Sequence, residues 1–531
     1  MFRFFLFAFF ICTAFCQAQE DDYPRNWDLD VLHYRFELEL TDASDQIKGK
    51  SSVDFTIASA QKELLFNLFE KEAGKEKGMK VIALQMDGKE VGYTHNGSDL
   101  VIQTSDLSVE GSHQLVVEYE GVPADGLVIS KNKFGDRTFF GDNWPNRAHN
   151  WLVCVDHPSE KATVEFIVEA PQKYQVVGTG LLIESSDVEG GNRISHYRTE
   201  IPVSPKVMVI GVAEFAIQYA GKTGCTHVTS WVYPENKEEG FHDYFQAVEV
   251  LNWFIEKIGE YPYEKLANVQ SKTRFGGMEN AGNIFYFEGS VTGDRKHEDL
   301  IAHEIAHQWF GNSATEKSWN HIWLSEGFAT YLANVYLEEK YGEEKRQERM
   351  ANERSEVIAY FKRKQWPVVN PPVERLMQLL NDNSYQKGSW ILHMLRHKLG
   401  DEVFWKSIRK YYERYRDSIA LTEDLKNVFE EESGQQLDDF FAQWLYQPGH
   451  PQLNASWERA GNTYSIVLVQ KQAIPFEFEI ELEAVLKGGE IVKLETQKVS
   501  EKIHQFKFES KVELERLIPD PDVHLMFEMV E

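Results

Sequence analysis

Cysteine is scarce in this chain. There are four in 531 residues, and Cys12 and Cys16 fall inside an apolar leader. Cys154 and Cys225 remain. Two thiols so far apart in sequence make no disulfide framework, so the fold must be held by buried cores, and both read as buried free thiols. Long apolar runs are also missing. The stretch 4–15 is too short to span a bilayer, and no later run reaches the length a membrane helix needs. Positive charge is in deficit: 56 Lys and Arg stand against 84 Asp and Glu, a net charge of −28. Phosphate binding needs Lys and Arg surfaces, so nucleic acid is excluded as a partner class. Internal repeats and low-complexity tracts are absent.

What is present begins with a leader. Arg3 precedes the apolar stretch, and small residues around Ala18 follow it. Residues 1–18 read as a secretory signal peptide cleaved after Ala18. Phe15 is too large for the site before a lipid-modified Cys16. The mature protein is therefore expected to be secreted or periplasmic, with no transmembrane segment after signal removal.

The length suggests about three domains at ~100–200 residues each. From residue 22 to 218 the hydrophobic period is two. Tyr34, Phe36, Leu38 and Leu40 alternate with Arg35, Glu37 and Glu39, which marks strands with one buried face. The period changes near Phe241. Amphipathic helices are expected at 241–258, 299–310, 323–332, 353–361, 388–399 and 422–431, the last with Thr422 as N-cap. Beyond Gln447-Pro448-Gly449-His450-Pro451 the period returns to two, with Phe476, Phe478, Ile480 and Leu482 alternating with Glu residues. The expected class is multidomain α+β. An N-terminal all-β domain covers 19–219, a mostly helical domain 220–448, and a small C-terminal β-sandwich 449–531.

Two constellations carry chemistry. On a helix over 299–310, His303 and His307 are four apart and share a face, so both imidazoles can bind one metal ion. Neutral imidazole suits zinc, with Zn–N of about 2.0–2.1 Å. Glu304 is rotated off that face, which suits a base acting on water better than a ligand. Glu326, on the next expected helix, is the candidate third ligand. Two His and one Glu leave a position open, as a hydrolytic zinc site requires. The second constellation is Phe275-Gly276-Gly277-Met278-Glu279-Asn280, after an apparent strand over 266–272. Paired glycines allow another backbone to approach, and such an edge can take up an extended peptide as an added strand. Glu279 just past it could bind an ammonium. A glycine-rich turn with a solvated Glu has the same local pattern.

Together these motifs resemble the aminopeptidase N family of zinc peptidases, which includes bifunctional epoxide hydrolases. The flanks agree: Trp309-Phe310-Gly311-Asn312, Trp323-Leu324 before Glu326-Gly327, Tyr385-Gln386-Lys387-Gly388, Cys154-Val155-Asp156-His157-Pro158 with Lys161, and Gly449-His450-Pro451. The resemblance implies a thermolysin-like catalytic domain with one Zn2+ per chain on His303, His307 and Glu326. It implies Glu304 as general base and Tyr385 as oxyanion donor. Glu279 would hold the substrate's α-amino group, in a peptide-binding run of Gly276, Gly277, Met278 and Asn280. The family also places an N-terminal-domain carboxylate or amide beside that amine, and Asp142 is the matching candidate. Departures are Ser325, where Asn is common, and Asn320, where Asp is common. Many members carry a further large helical domain, whereas this sequence ends after the small β region.

The expected function is a zinc metallo-aminopeptidase acting on peptides with a free N-terminus. The alternatives are a thermolysin-like endopeptidase, a zinc epoxide hydrolase and a non-catalytic peptide-binding protein. An oligomer is compatible with the sequence.

Overall fold

The computed structural model describes Tyr23, residues 25–104 and residues 107–531. The expected signal peptide lies outside the described residues. The first half is built on an eight-stranded sheet. Its central strands are Ala162–Pro171, Leu29–Glu39, Ile47–Ile57 and His113–Val122, in that spatial order. The alternation read from the sequence is the observed one. Tyr34, Phe36, Leu38 and Leu40 are buried, while the residues between them are partly or fully exposed. Tyr34 pairs across to Val53 on one side and Val164 on the other, so the apolar sets of three strands form one face.

The strand Ala216–Thr223 straddles the expected boundary at 219/220. It pairs with Thr226–Val232, which runs parallel to Lys265–Ser271. This five-stranded sheet ends in Asn283–Phe287 and, at its edge, the two-residue strand Gly277–Met278. The Gly-Gly-Met run therefore occupies a sheet edge, as its glycines suggested.

Among the described residues nine α-helices follow, in the order α1 (Lys237–Tyr244), α2 (Ala247–Lys257), α3 (Glu298–His307), α4 (Trp323–Tyr341), α5 (Glu343–Phe361), α6 (Gly388–Leu399), α7 (Asp401–Tyr415), α8 (Thr422–Ser433) and the single turn α9 (Asp438–Phe441). The helix expected over 241–258 is divided at Phe245 and Gln246, which nonetheless keep helical dihedrals. α3 opens on Glu298 and Asp299, whose charge suits a helix N-terminus. It ends before Gly311, at φ +112°. Thr422 is the first residue inside α8 rather than its cap. Its hydroxyl is taken by the Trp323 indole N–H and by His321, both at 2.8 Å. The Asp424 carboxylate instead accepts the Leu421 N–H at 2.8 Å. The C-terminal region is three small sheets, with Phe476, Phe478, Ile480 and Leu482 all buried. Cys154 is buried, but Cys225 is exposed, because it follows Gly224 in the hairpin turn between Ala216–Thr223 and Thr226–Val232; both thiols are free. Among the described residues no helix is long and apolar enough to cross a membrane.

Candidate active site

α3, α4 and the edge strand meet at a cavity of about 350 Å³. α3 supplies His303, Glu304 and His307; the first turn of α4 supplies Glu326. The two imidazole Nε2 atoms are 3.0 Å apart. The Glu326 Oε2 is 3.6 Å from His303 Nε2 and 3.3 Å from His307 Nε2. Ligands of a tetrahedral zinc with bonds near 2.0–2.1 Å stand about 3.3 Å from one another. The three donor atoms are thus already spaced for one small dication. The remaining charge fits too, since Glu279 and Glu304 bring two more buried carboxyls to the same cavity.

His307 is oriented from behind. Its Nδ1 lies 3.3 Å from the Phe310 carbonyl and 3.1 Å from the Ser325 hydroxyl, which aims Nε2 at Glu326. Ser325 fits because Gly311 lies against it. A side chain on Gly311 would overlap the Ser325 hydroxyl and crowd His307.

Tyr385 arrives on a π-helical turn, Asn383–Lys387, that runs directly into α6. π turns widen a helix by one residue and are frequent at functional sites. The Tyr385 ring stacks on His303 with centroids 6.0 Å apart. Burial, then Glu326, Glu279 and Glu304, push its hydroxyl well above the usual phenol range, so it stays protonated and can donate. The π turn reaches the candidate metal ligands because α4 and α6 touch through glycine. A Cβ on Gly327, next to Glu326, would fall 2.8 Å from the Gly388 Cα.

Glu304 is 4 % exposed, and burial raises its carboxyl well above the ordinary carboxylate range. Burial also raises Glu279. Glu326 behaves oppositely: His307 and His303 outweigh its burial and hold it ionised. Glu279 stands with its Oε1 buried and without a hydrogen-bond partner among the described residues. Its backbone carbonyl is fixed by the Gln308 amide at 2.8 Å and the Asn312 amide at 2.6 Å. Glu279 is therefore indexed to the end of the zinc-motif helix.

Of the residues expected at the site, His303, His307, Glu326, Glu304, Tyr385, Glu279, Gly276, Gly277 and Met278 line one cavity. Asn280 does not; it is fully buried beneath the strand edge. Asp142 does not either. Its carboxylate is drawn away by the Arg147 guanidinium, 2.6 Å from Oδ1, and it is wholly buried. The residue from that region that reaches the cavity is Trp144, packed edge-on against Trp319. Gln308, Asn312, Lys161 and Lys387 carry no catalytic signature, and sequence reasoning missed their roles. Lys161 donates to the carbonyls of Asn312 and Ser313 at 2.9 and 2.5 Å, which ties the N-terminal region to the loop after α3. Lys387 donates to the Gly449 carbonyl at 2.8 Å and so anchors the Tyr385 turn. The matching flanks at Lys161, Asn312 and Gly449 were the only signal for these contacts.

Residues 31–205 match the Peptidase M1 N-terminal domain, and residues 243–444 match the Peptidase family M1 domain. A probable aminopeptidase 2 of Sulfurisphaera tokodaii is 28 % identical over 70 % of this chain and 49 % of its own length. A leucyl aminopeptidase of Saccharolobus solfataricus is 26 % identical over 71 % of this chain and 50 % of its own. The chain spans about half the length of the curated relatives it matches. Among solved structures, native yeast LTA4 hydrolase superposes with a TM-score of 0.71 at 23 % identity, covering 80 % of this chain and 69 % of its own. An M1 zinc metallopeptidase mutant from Deinococcus radiodurans gives 0.66 at 20 % identity, covering 79 % and 94 %. At those identities the likeness speaks for the fold. With both family domains matched in order around this His-His-Glu set, the chain belongs to peptidase family M1, the aminopeptidase N family of zinc peptidases.

Proposed function

We propose that this protein is a zinc aminopeptidase that removes the N-terminal residue from peptides. One observation carries the reading: a buried Glu279 oxygen without a partner faces the same cavity as the His303, His307 and Glu326 donors. A buried carboxylate left unpaired is costly, and a free α-ammonium would satisfy it. His303, His307 and Glu326 would hold the zinc. When bound, the ion supplies a Lewis acid that polarises the scissile carbonyl and acidifies water.

The chain's own groups do the rest. The edge strand Gly277–Met278 offers main-chain groups to an extended peptide. Glu279 receives the ammonium and stops the peptide one residue before the bond to be cut. Glu304 takes a proton from the attacking water and returns it to the leaving amine. The Tyr385 hydroxyl donates to the carbonyl oxygen as it gains charge. Trp144 and Phe275 close one side of the cavity with aromatic surface.

The test is a matched pair of peptides, one free and one N-acetylated. The free peptide is cleaved and the acetylated one is not, because acetylation removes the charge and adds bulk against Glu279. Equal rates on both would replace this reading with that of an endopeptidase.

We also propose export, on the strength of residues 1–18. N-terminal sequencing of protein recovered outside the cytoplasm should begin at Gln19. A start at Met1 would refute cleavage.

A further inference from the structure

The C-terminal end of α6 meets two segments of the last sheets. His397 stands on its last turn. Glu481 lies between the strands Phe478–Ile480 and Leu482–Leu486, and His524 follows a tight loop over 520–523. The rings of His397 and His524 stack with centroids 4.0 Å apart. The His524 Nδ1 is 3.1 Å from the Glu481 Oε2. One donor atom from each of the three residues lies within 4.8 Å of the others. These residues have no part in the hydrolytic site.

From this geometry we propose a second metal site, for zinc or a similar borderline divalent cation, on His397, Glu481 and His524. Two imidazoles and one carboxylate are a sufficient donor set, with the remaining position left to water. Closing the set needs donors about 3.3 Å apart. The side chain that must move is His397, which is exposed and free to tilt out of its stack.

The other two ligands are held in place. Asp520 accepts the backbone N–H groups of His524 and Leu525, at 2.7 and 3.2 Å, and is fixed by Arg354 at 2.8 Å. The carbonyl of Val523 meets Arg346 at 3.2 Å and His393 at 3.0 Å. Val523 itself sits at φ +58°, a conformation β-branched residues avoid, so the loop is set by its surroundings rather than by preference. On the other side, Glu481 is 3.5 Å from the exposed Lys493, whose ammonium can swing into solvent when a cation arrives.

A cation here would join the helical region to the C-terminal sheets. The test uses the full-length protein without a histidine tag, equilibrated with micromolar zinc alone and analysed for metal content. Wild type should take up two zinc ions per chain, and His397→Ala should take up one and keep full peptide hydrolysis. Zinc beyond the first equivalent should raise the unfolding temperature of wild type but not of His397→Ala. Glu481→Gln should lose the second equivalent as well. A wild type that stops at one equivalent overturns the proposal, whatever the variants do. So does a His397→Ala protein that takes up two.

Discussion

Gly277 and Glu304 are in contact across the cavity: a Cβ built on Gly277 would overlap the Glu304 carboxyl group, with even its Cγ only 2.6 Å away. The strand proposed to receive substrate and the proposed base therefore share a surface that only glycine leaves free. Gly277→Ala should push Glu304 out of line and lower kcat by ~10²–10⁴, the range expected for losing general-base catalysis. Zinc content should stay unchanged. Steady-state kinetics with metal analysis checks both, and normal turnover would refute the contact's importance.

Tyr385→Phe removes one hydroxyl that neither binds metal nor fills space elsewhere. Its turnover should fall by about 10²–10³, the usual loss for one oxyanion donor, with KM nearly unchanged. A rise in KM with kcat unchanged would instead mean that the hydroxyl binds ground state and transition state alike.

Glu279→Ala should weaken cleavage of free peptides through the lost ammonium contact. Charge-assisted hydrogen bonds are worth ~1.5–3 kcal/mol, or roughly 10–150-fold in kcat/KM. The loss should vanish when the variant is assayed against an N-acetylated peptide, on which both enzymes are equally poor. A silent Glu279→Ala would remove the exopeptidase reading.

Chelation should abolish hydrolysis and lower the unfolding temperature. Folding brings the donor atoms of His303, His307 and Glu326 together, so zinc binds the folded chain preferentially. Free zinc at a thousand times Kd stabilises by ~4 kcal/mol. Differential scanning calorimetry of the same protein before and after chelator reads this directly, and zinc should restore both properties.

Lys387 gives a pH signature away from the metal. Burial pushes its ammonium down to about 7 in the folded chain, while an unfolded lysine stays near ~10.4. Between those values the unfolded state binds the extra proton, so this group makes stability rise with pH. The gain is at most ~1.4 kcal/mol per pH unit, and below about pH 7 it disappears because both states are charged. Denaturant unfolding from pH 7 to 10 should show a steeper slope in wild type than in Lys387→Met, since the buried Lys161 and Lys265, also lowered to about 7, contribute equally to both.

The parts legible in the sequence were those set by local spacing. His303 and His307 are four apart on one helix, and the strand alternation of Tyr34, Phe36 and Leu38 needs only its own neighbours. Glu279 was legible through the motif around it, although its local pattern is that of a turn. Asp142 was misplaced because its partner, Arg147, competes for it in three dimensions, and a linear motif carries no sign of that. Thr422 read as a cap for the same reason: the Trp323 and His321 groups that take its hydroxyl come from a hundred residues away. His397, Glu481 and His524 were invisible as a set, since three separate segments bring them together.

Docking a peptide on the edge strand, as proposed, has a consequence for how it would be shortened. Side chains of an extended chain point alternately to opposite faces, so an advance by one residue turns every one of them over and breaks the main-chain pairing. A peptide that has lost its first residue cannot slide forward along Gly277–Met278 to refill the Glu279 pocket. It must let go, turn and enter again. Trimming would then be distributive, releasing each intermediate to solution, and the order in which substrates are consumed would be set by competition among all the lengths present.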